Sequence, residues 1–138
     1  MIKQWILALA LVATFGVSSA SFAQEEDTLV GDAIKGKKAF AKCKACHTYK
    51  KGGKNKVGPN LWNIVDRGIA EVEGFKYSSA FKAKKGEVSW DEATLSAYLK
   101  KPRAWEKKTK MAFGGIKKPQ QLADLVAYLK TLKDVEEE

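Results

Sequence analysis

The sequence predicts an all-α fold with long connecting loops, and three observations predict it. No segment alternates apolar and polar residues with the period of two that marks a half-buried strand. Apolar residues instead recur at helical spacing, most clearly Leu122, Leu125, Val126, Leu129 and Leu132 near the C-terminal end. Between the helical stretches lie segments rich in glycine, lysine and proline that follow neither period.

The elements follow in order. Lys3, the apolar stretch from Trp5 to Val17 and the small residues at Ser21 and Ala23 read as a signal peptide cut before Gln24. Residues 1–23 are then a cleavable leader and 24–138 one small domain. An uncleaved membrane anchor is the alternative, although Trp5–Val17 falls short of the about 20 residues that span a bilayer. Asp32 is a good N-cap for a helix through Ile34, Lys37, Phe40 and Ala41, which runs into Cys43. Gly36 inside that helix costs about 1 kcal/mol relative to alanine, so its presence predicts another helix passing close across it.

Lys50 to Asn60, with Gly52-Gly53 and Gly58-Pro59, is loop, and a short helix is expected at Leu61–Val65. Ser89-Trp90-Asp91-Glu92 reads as a capping box opening a helix whose inner face is Leu95, Tyr98 and Leu99. Pro102 ends that helix or begins a new turn. The last helix starts near Pro119, and the acidic tail Asp134–Glu138 is expected to fray, because negative charge is disfavoured at a helix C-terminus.

The chemistry is concentrated in Cys43-Lys44-Ala45-Cys46-His47, the pattern of a c-type haem attachment site. Two thiols three positions apart on one helical turn can each add to a vinyl group of the same porphyrin. The histidine that follows is carried under the ring, where its imidazole can ligate iron. Other uses of the cysteines fare worse. A structural zinc site wants four ligands, and the chain has two cysteines and one histidine in all. A thioredoxin-type pair belongs in a βαβ pattern that is missing here. A disulfide between Cys43 and Cys46 would close too small a loop to stabilise much. A haem at the centre of so small a domain supplies apolar surface that side chains would otherwise provide, so the haem-free chain is expected to be largely unfolded.

Haem iron takes a second axial ligand or keeps an open position. Beyond Met1 the chain has one methionine, Met111, in the poorly periodic stretch Thr109-Lys110-Met111-Ala112-Phe113-Gly114-Gly115. A lone methionine is ordinarily core filler. On iron, its thioether would favour the ferrous state, raise the reduction potential and leave no position for substrate. The chain also carries 25 basic against 16 acidic residues, a net charge of +9. That balance concerns partners and association rate. Nucleic acid is the generic partner for it, but an acidic docking surface on another protein suits an exported chain better.

The chain resembles class I cytochromes c, close to the mitochondrial protein and its bacterial periplasmic relatives. The resemblance runs from Gly31 to Lys133 and is carried by ordered fragments: 31–40, the haem motif, Val-Gly-Pro-Asn-Leu at 57–61, Gly-Phe-Lys-Tyr at 74–77 and Val-Ser-Trp at 88–90. Tyr-Leu-Lys-Lys-Pro at 98–102, Thr-Lys-Met-Ala-Phe at 109–113, Gly-Ile-Lys-Lys at 115–118 and Asp-Leu-Val-Ala-Tyr-Leu at 124–129 complete it. It implies a small cytochrome c fold in which the first and last helices cross, Gly36 and Phe40 meeting Leu125 and Tyr128, with one haem enclosed by helices and long loops.

The resemblance further implies that Cys43 and Cys46 hold the haem covalently and that His47 and Met111 are the iron ligands. The Pro59 carbonyl should accept the other imidazole N–H of His47. Tyr77 and Trp90 should bond a propionate with Arg67 nearby, Tyr98 should sit beside the Met111 sulfur, and Phe113 should lie at the haem edge. Lys42, Lys56, Arg103, Lys110, Lys117 and Lys118 should ring that edge. The expected function is that of a monomeric one-electron carrier in the periplasm and not an enzyme. Electrons would pass from a quinol–cytochrome c reductase to an oxidase, a reductase or a photosynthetic reaction centre. The expected membrane contact is through those complexes or an uncleaved leader. Two rivals remain: a peroxidase or small-ligand-binding haem protein with Met111 off the iron, and a basic binding module whose cysteines are merely structural.

Two departures from the family pattern stand out, the first bearing on the internal water network and the setting of the potential and the second on the methionine segment. Phe81 stands where the mitochondrial relatives usually have asparagine, and Lys107-Lys108 where the family often has Pro-Gly. Loss of that rigid turn predicts a loop that opens more easily. Lys108 or Lys110 is then expected to replace Met111 on the iron at alkaline pH more readily than in relatives. An optical pH titration checks this, and a methionine–ferric iron band that survives to high pH contradicts it.

Overall fold

The structure is a computed structural model that describes residues 29–134. The expected leader and most of the acidic tail lie outside the described residues. Among the described residues five α-helices follow one another: α1 Ala33–Ala39, α2 Ser79–Lys82, α3 Glu92–Lys100, α4 Pro102–Trp105 and α5 Pro119–Lys130, with a 3-10 turn Phe40–Lys42 continuing α1. Among the described residues there is no strand, only an isolated bridge between Gly68 and Ser89. The all-α expectation holds. No described helix is long and apolar enough to cross a membrane.

The architecture is set where α1 crosses α5. Asp32 caps α1, its carboxylate accepting from the Ile34 and Lys35 N–H groups at 2.8 and 3.2 Å. The Lys35 N–H, ahead of the Ile34 N–H, holds the Asp32 carboxyl below its ordinary value. Gly36 is buried, and a Cβ on it would fall on the Asp124 carbonyl and the Tyr128 Cβ. The glycine therefore allows the two backbones to approach, as its cost inside a helix predicts. The expected neighbour Tyr128 is present, with Phe40 and Tyr128 ring centroids 5.0 Å apart. At Gly36 itself the other contact is with Asp124 rather than Leu125.

Asp124 is buried on the α5 face and was not anticipated. Its carboxylate accepts from the Asp32 N–H and from Gln120 Nε2, both at 2.8 Å, which ties the two helices by a polar bond beside the apolar crossing. The apolar stripe Leu122, Leu125, Val126, Leu129 and Leu132 is buried throughout. Phe40 and Leu125 are both 0 % exposed and form the centre of the core.

Two local expectations are corrected. The cap of α3 is Asp91 instead of Ser89: its carboxylate accepts from the Thr94 N–H at 2.7 Å. Ser89 instead pairs with Gly68 in the isolated bridge. Residues 61–65 are turns and not a helix, because Asn63 takes a left-handed φ of 57° that interrupts helical hydrogen bonding. Pro102 begins a new helix, α4, in which its missing N–H is no loss.

The crossing gives a direct test. Gly36→Ala should lower unfolding stability by about 1–3 kcal/mol, the range for overpacking a tight contact. Denaturant midpoints of the purified protein measure it, and an unchanged midpoint would contradict the close approach of α1 and α5.

Candidate cofactor site

The turn that follows α1 organises the site. The Cys46 and His47 N–H groups both donate to the Cys43 carbonyl, at 3.1 and 3.0 Å, so the motif is wound into one turn. Cys43 is half-buried and Cys46 exposed. Burial, with Cys46 adding to it, pushes the Cys43 thiol up to about 11.

Cys43, Cys46 and His47 line a cavity of about 330 Å³, and so do Arg67, Tyr77, Trp90, Tyr98, Met111 and Phe113. Every residue assigned to the cofactor from the sequence therefore reaches one cavity. Leu125 and Leu129 of α5 line it as well, so the crossing that fixes α1 also supplies a wall.

His47 Nδ1 lies 2.7 Å from the Pro59 carbonyl. Only a protonated nitrogen can donate to that oxygen, so Nδ1 carries the hydrogen and Nε2 keeps its lone pair for a metal. Burial, the largest influence on the ring, lowers its pKa and favours this neutral form. Gly58 closes the arrangement: a Cβ there would overlap the imidazole. Behind it, Asn60 is buried, donating to Thr48 Oγ1 and the Lys50 carbonyl and accepting from the Trp62 N–H at 2.7 Å. These bonds fix the loop on either side of Pro59. Gly58 and Asn60 both stand in the fragment at 57–61, but their contacts depend on a loop path that periodicity does not encode.

On another part of the lining, Arg67 donates from Nη1 to the Trp62 carbonyl at 2.8 Å and from Nη2 to the Asn60 carbonyl at 3.0 Å. Its Nε is buried with no hydrogen-bond partner among the described residues. Burial lowers the guanidinium pKa from its ordinary value, yet an arginine stays charged. Tyr77 accepts from the Val72 N–H at 3.3 Å, which leaves its own hydroxyl hydrogen to give, and burial keeps that hydroxyl protonated. A sheltered cation with an orphan N–H near a free phenol donor suits an anionic group. The carboxylates of a haem have that chemistry, and the thiols, imidazole and thioether supply the remaining donors. The lining thus fits the group that the cysteine motif implies.

Trp90 is buried, and its backbone bonds Arg67 and Asp66, the N–H to the Arg67 carbonyl at 2.8 Å. Tyr98 and Thr109 share a buried hydroxyl–hydroxyl bond of 2.7 Å, and Thr109 Oγ1 also accepts from the Met111 N–H at 3.3 Å. Thr109 was not singled out from the sequence; it links Tyr98 to the backbone of Met111. Lys42, Lys56, Arg103, Lys110, Lys117 and Lys118 are all exposed, and Lys42 and Lys110 reach the cavity lining.

Gly58→Ala should displace the His47 ring and lengthen its bond to Pro59. Expressed in a host that attaches haem, the variant should carry clearly less covalent haem per polypeptide than the parent, by absorbance against protein mass. Equal loading would show that the ring tolerates the added carbon.

Comparison with known proteins agrees with this geometry. The family described as Cytochrome c matches residues 33–133. A cytochrome c homolog of Rickettsia bellii is 43% identical over 100 residues, which is 72% of this chain and 57% of the relative. The chain thus spans little more than half the length of the Rickettsia relatives it matches. Cytochrome c2 of Afifella marina is 45% identical over 97 residues, 70% of this chain and 78% of that protein. The solved structure of cytochrome cH from Methylobacterium extorquens superposes with a TM-score of 0.67 at 44% identity, covering 73% of this chain and 99% of that one. A match of this extent around a haem attachment motif leaves one assignment: the chain belongs to the cytochrome c family, whose members carry covalently bound haem c.

Proposed function

We propose that the protein is a periplasmic one-electron shuttle whose haem is ligated by His47 and Met111. When bound, haem c supplies a single one-electron couple at its iron. The observation that carries the reading is a coincidence of rare residues in one place. The histidine and the methionine of residues 29–134 line the same cavity as the two cysteines.

Each residue has a definite task. Cys43 and Cys46 anchor the group, so it cannot leave when the iron changes charge. His47 offers Nε2 from a ring held by Pro59. Met111 offers a thioether, which favours the reduced state. Tyr77 and Trp90 would hydrogen-bond a propionate with the Arg67 charge beside it, and the Arg67 Nε would supply a further donor. With two protein ligands in place no position is left for substrate, which favours a carrier over an enzyme.

The exposed Lys42, Lys56, Arg103, Lys110, Lys117 and Lys118 present positive charge to acidic surfaces of donor and acceptor. We assign the donor to a quinol-oxidising complex and the acceptor to an oxidase, reductase or photosynthetic reaction centre. Association should be fast at low salt and slow markedly as salt screens the charges.

The test is the optical spectrum of protein purified from the periplasm of a haem-attaching host, oxidised and reduced. Colour that survives denaturation, together with a methionine–ferric iron band, is the expected result. Covalent haem without that band, and with small ligands binding directly, moves the protein to the peroxidase or ligand-binding class. A colourless product from a host that loads a control cytochrome ends the carrier reading.

A further inference from the structure

Glu106 is the only acidic residue between Glu92 and Asp124, a stretch that holds Lys100, Lys101, Arg103, Lys107, Lys108, Lys110, Lys117 and Lys118. Its side chain is only 13 % exposed and pairs with Lys84, itself 30 % exposed, at 2.8 Å. The other ion pairs among the described residues have side chains between 41 % and 70 % exposed. Exposed pairs of that kind contribute little. A sheltered pair differs, because removing one member leaves the other charge poorly solvated.

The two partners come from different segments. Lys84 follows α2 and is held there by its N–H bond to the Phe81 carbonyl at 3.1 Å. Glu106 ends α4 and begins the segment leading to Met111. Its second carboxylate oxygen accepts from the Lys108 N–H at 3.0 Å, and its carbonyl accepts from the Thr109 N–H at 3.1 Å. Thr109 in turn accepts from the Met111 N–H. The Lys84 ammonium also lies 5.5 Å from the centroid of Trp105, which packs on Trp90 and Tyr98. One carboxylate thus shapes the turn at Lys107-Lys108 and fastens it to the segment after α2. Lys84 is the first cause of the carboxyl standing below its ordinary value, so Glu106 is ionised at neutral pH.

We propose that Lys84 and Glu106 form an inter-loop latch that positions Met111, replacing with a charge-assisted bond the stiffness that Pro-Gly would give the turn. Both are positioning residues acting through the backbone of 106–111. The inference rests on the reading of Met111 as an iron ligand, and it adds a mechanism by which this chain keeps that ligand in place.

The test uses the haem-loaded protein with Lys84→Met and Glu106→Gln, the exposed Lys85→Met as control, and the exchanged pair Lys84→Glu/Glu106→Lys. Amide hydrogen exchange is measured across the chain, and the ferric protein is mixed with imidazole as a competing ligand. Each single variant should speed exchange of the Lys108, Thr109 and Met111 amides about tenfold, the scale of one charged hydrogen bond. Exchange in α1 and α5 should not change. Imidazole should displace Met111 faster by a similar factor, and the exchanged pair should recover part of both effects. Lys85→Met should behave as the parent.

Unchanged exchange at 108–111 in both single variants overturns the latch. So does exchange that rises equally in α1 and α5, which would mark a general loss of stability. A parent protein without the methionine–iron band refutes the ligand reading instead, and the amide exchange then decides by itself whether the latch exists.

Discussion

The close approach of α1 and α5 is the constraint on which the remaining structure depends. A backbone contact at Gly36 leaves no freedom in how the two helices cross, because a single added carbon would strike the Asp124 carbonyl. That crossing fixes Phe40, and Phe40 fixes the start of the turn that carries Cys43, Cys46 and His47. The far side of α5 then offers Leu125 and Leu129 to the same cavity. One contact between two short segments, remote in sequence, sets the attachment site and part of the cavity wall together.

The cavity is apolar over much of its lining but holds features that a simple core would not retain. A guanidinium is costly to shelter, and Arg67 recovers only part of that cost through the Trp62 and Asn60 carbonyls. Its Nε is left with a hydrogen to donate toward the cavity, which is the chemistry the proposed haem propionate would use. His47 follows the same logic. Its hydrogen is committed to Pro59, which leaves the Nε2 lone pair for the metal that the proposed function requires.

The sequence carried these features unevenly. Five residues around Cys43 were enough for the cofactor, because its chemistry fixes residue types and spacing rigidly. The last helix was legible from its stripe, and the crossing from a glycine where helix propensity opposes one. The side-chain bonds of Asp124, Thr109 and Asn60 were not legible. Each depends on where an irregular loop or a facing helix comes to rest, which no local period records. A lone aspartate within the stripe at 122–129 was the available sign for Asp124. The expected helix at 61–65 failed for a related reason, since Asn63 adopts a left-handed conformation that apolar spacing cannot reveal. The cap of α3 lies at Asp91 and not Ser89, since it is the Asp91 carboxylate that reaches the Thr94 N–H.

The segments that carry His47 and Met111 are held by different physics. His47 sits on a turn continuous with α1, braced by a helix crossing and by the buried amide of Asn60. Met111 sits in a segment without regular secondary structure, braced by hydroxyls and one sheltered ion pair. Regular helices share their strain over many backbone bonds, whereas an irregular segment depends on a few side chains. The methionine side is therefore the one on which sequence changes act most directly, and it is where this chain departs from the family pattern at Phe81 and at Lys107-Lys108. Phe81 joins an aromatic cluster with Trp90, Tyr98 and Trp105, so α2 and the turn that follows it are anchored by apolar contact where a polar side chain is usual in relatives. Lys84 leaves that packed segment to meet Glu106. The two departures are thereby joined in space: aromatic packing makes the segment after α2 firm enough for an ion pair anchored on it to restrain the methionine side.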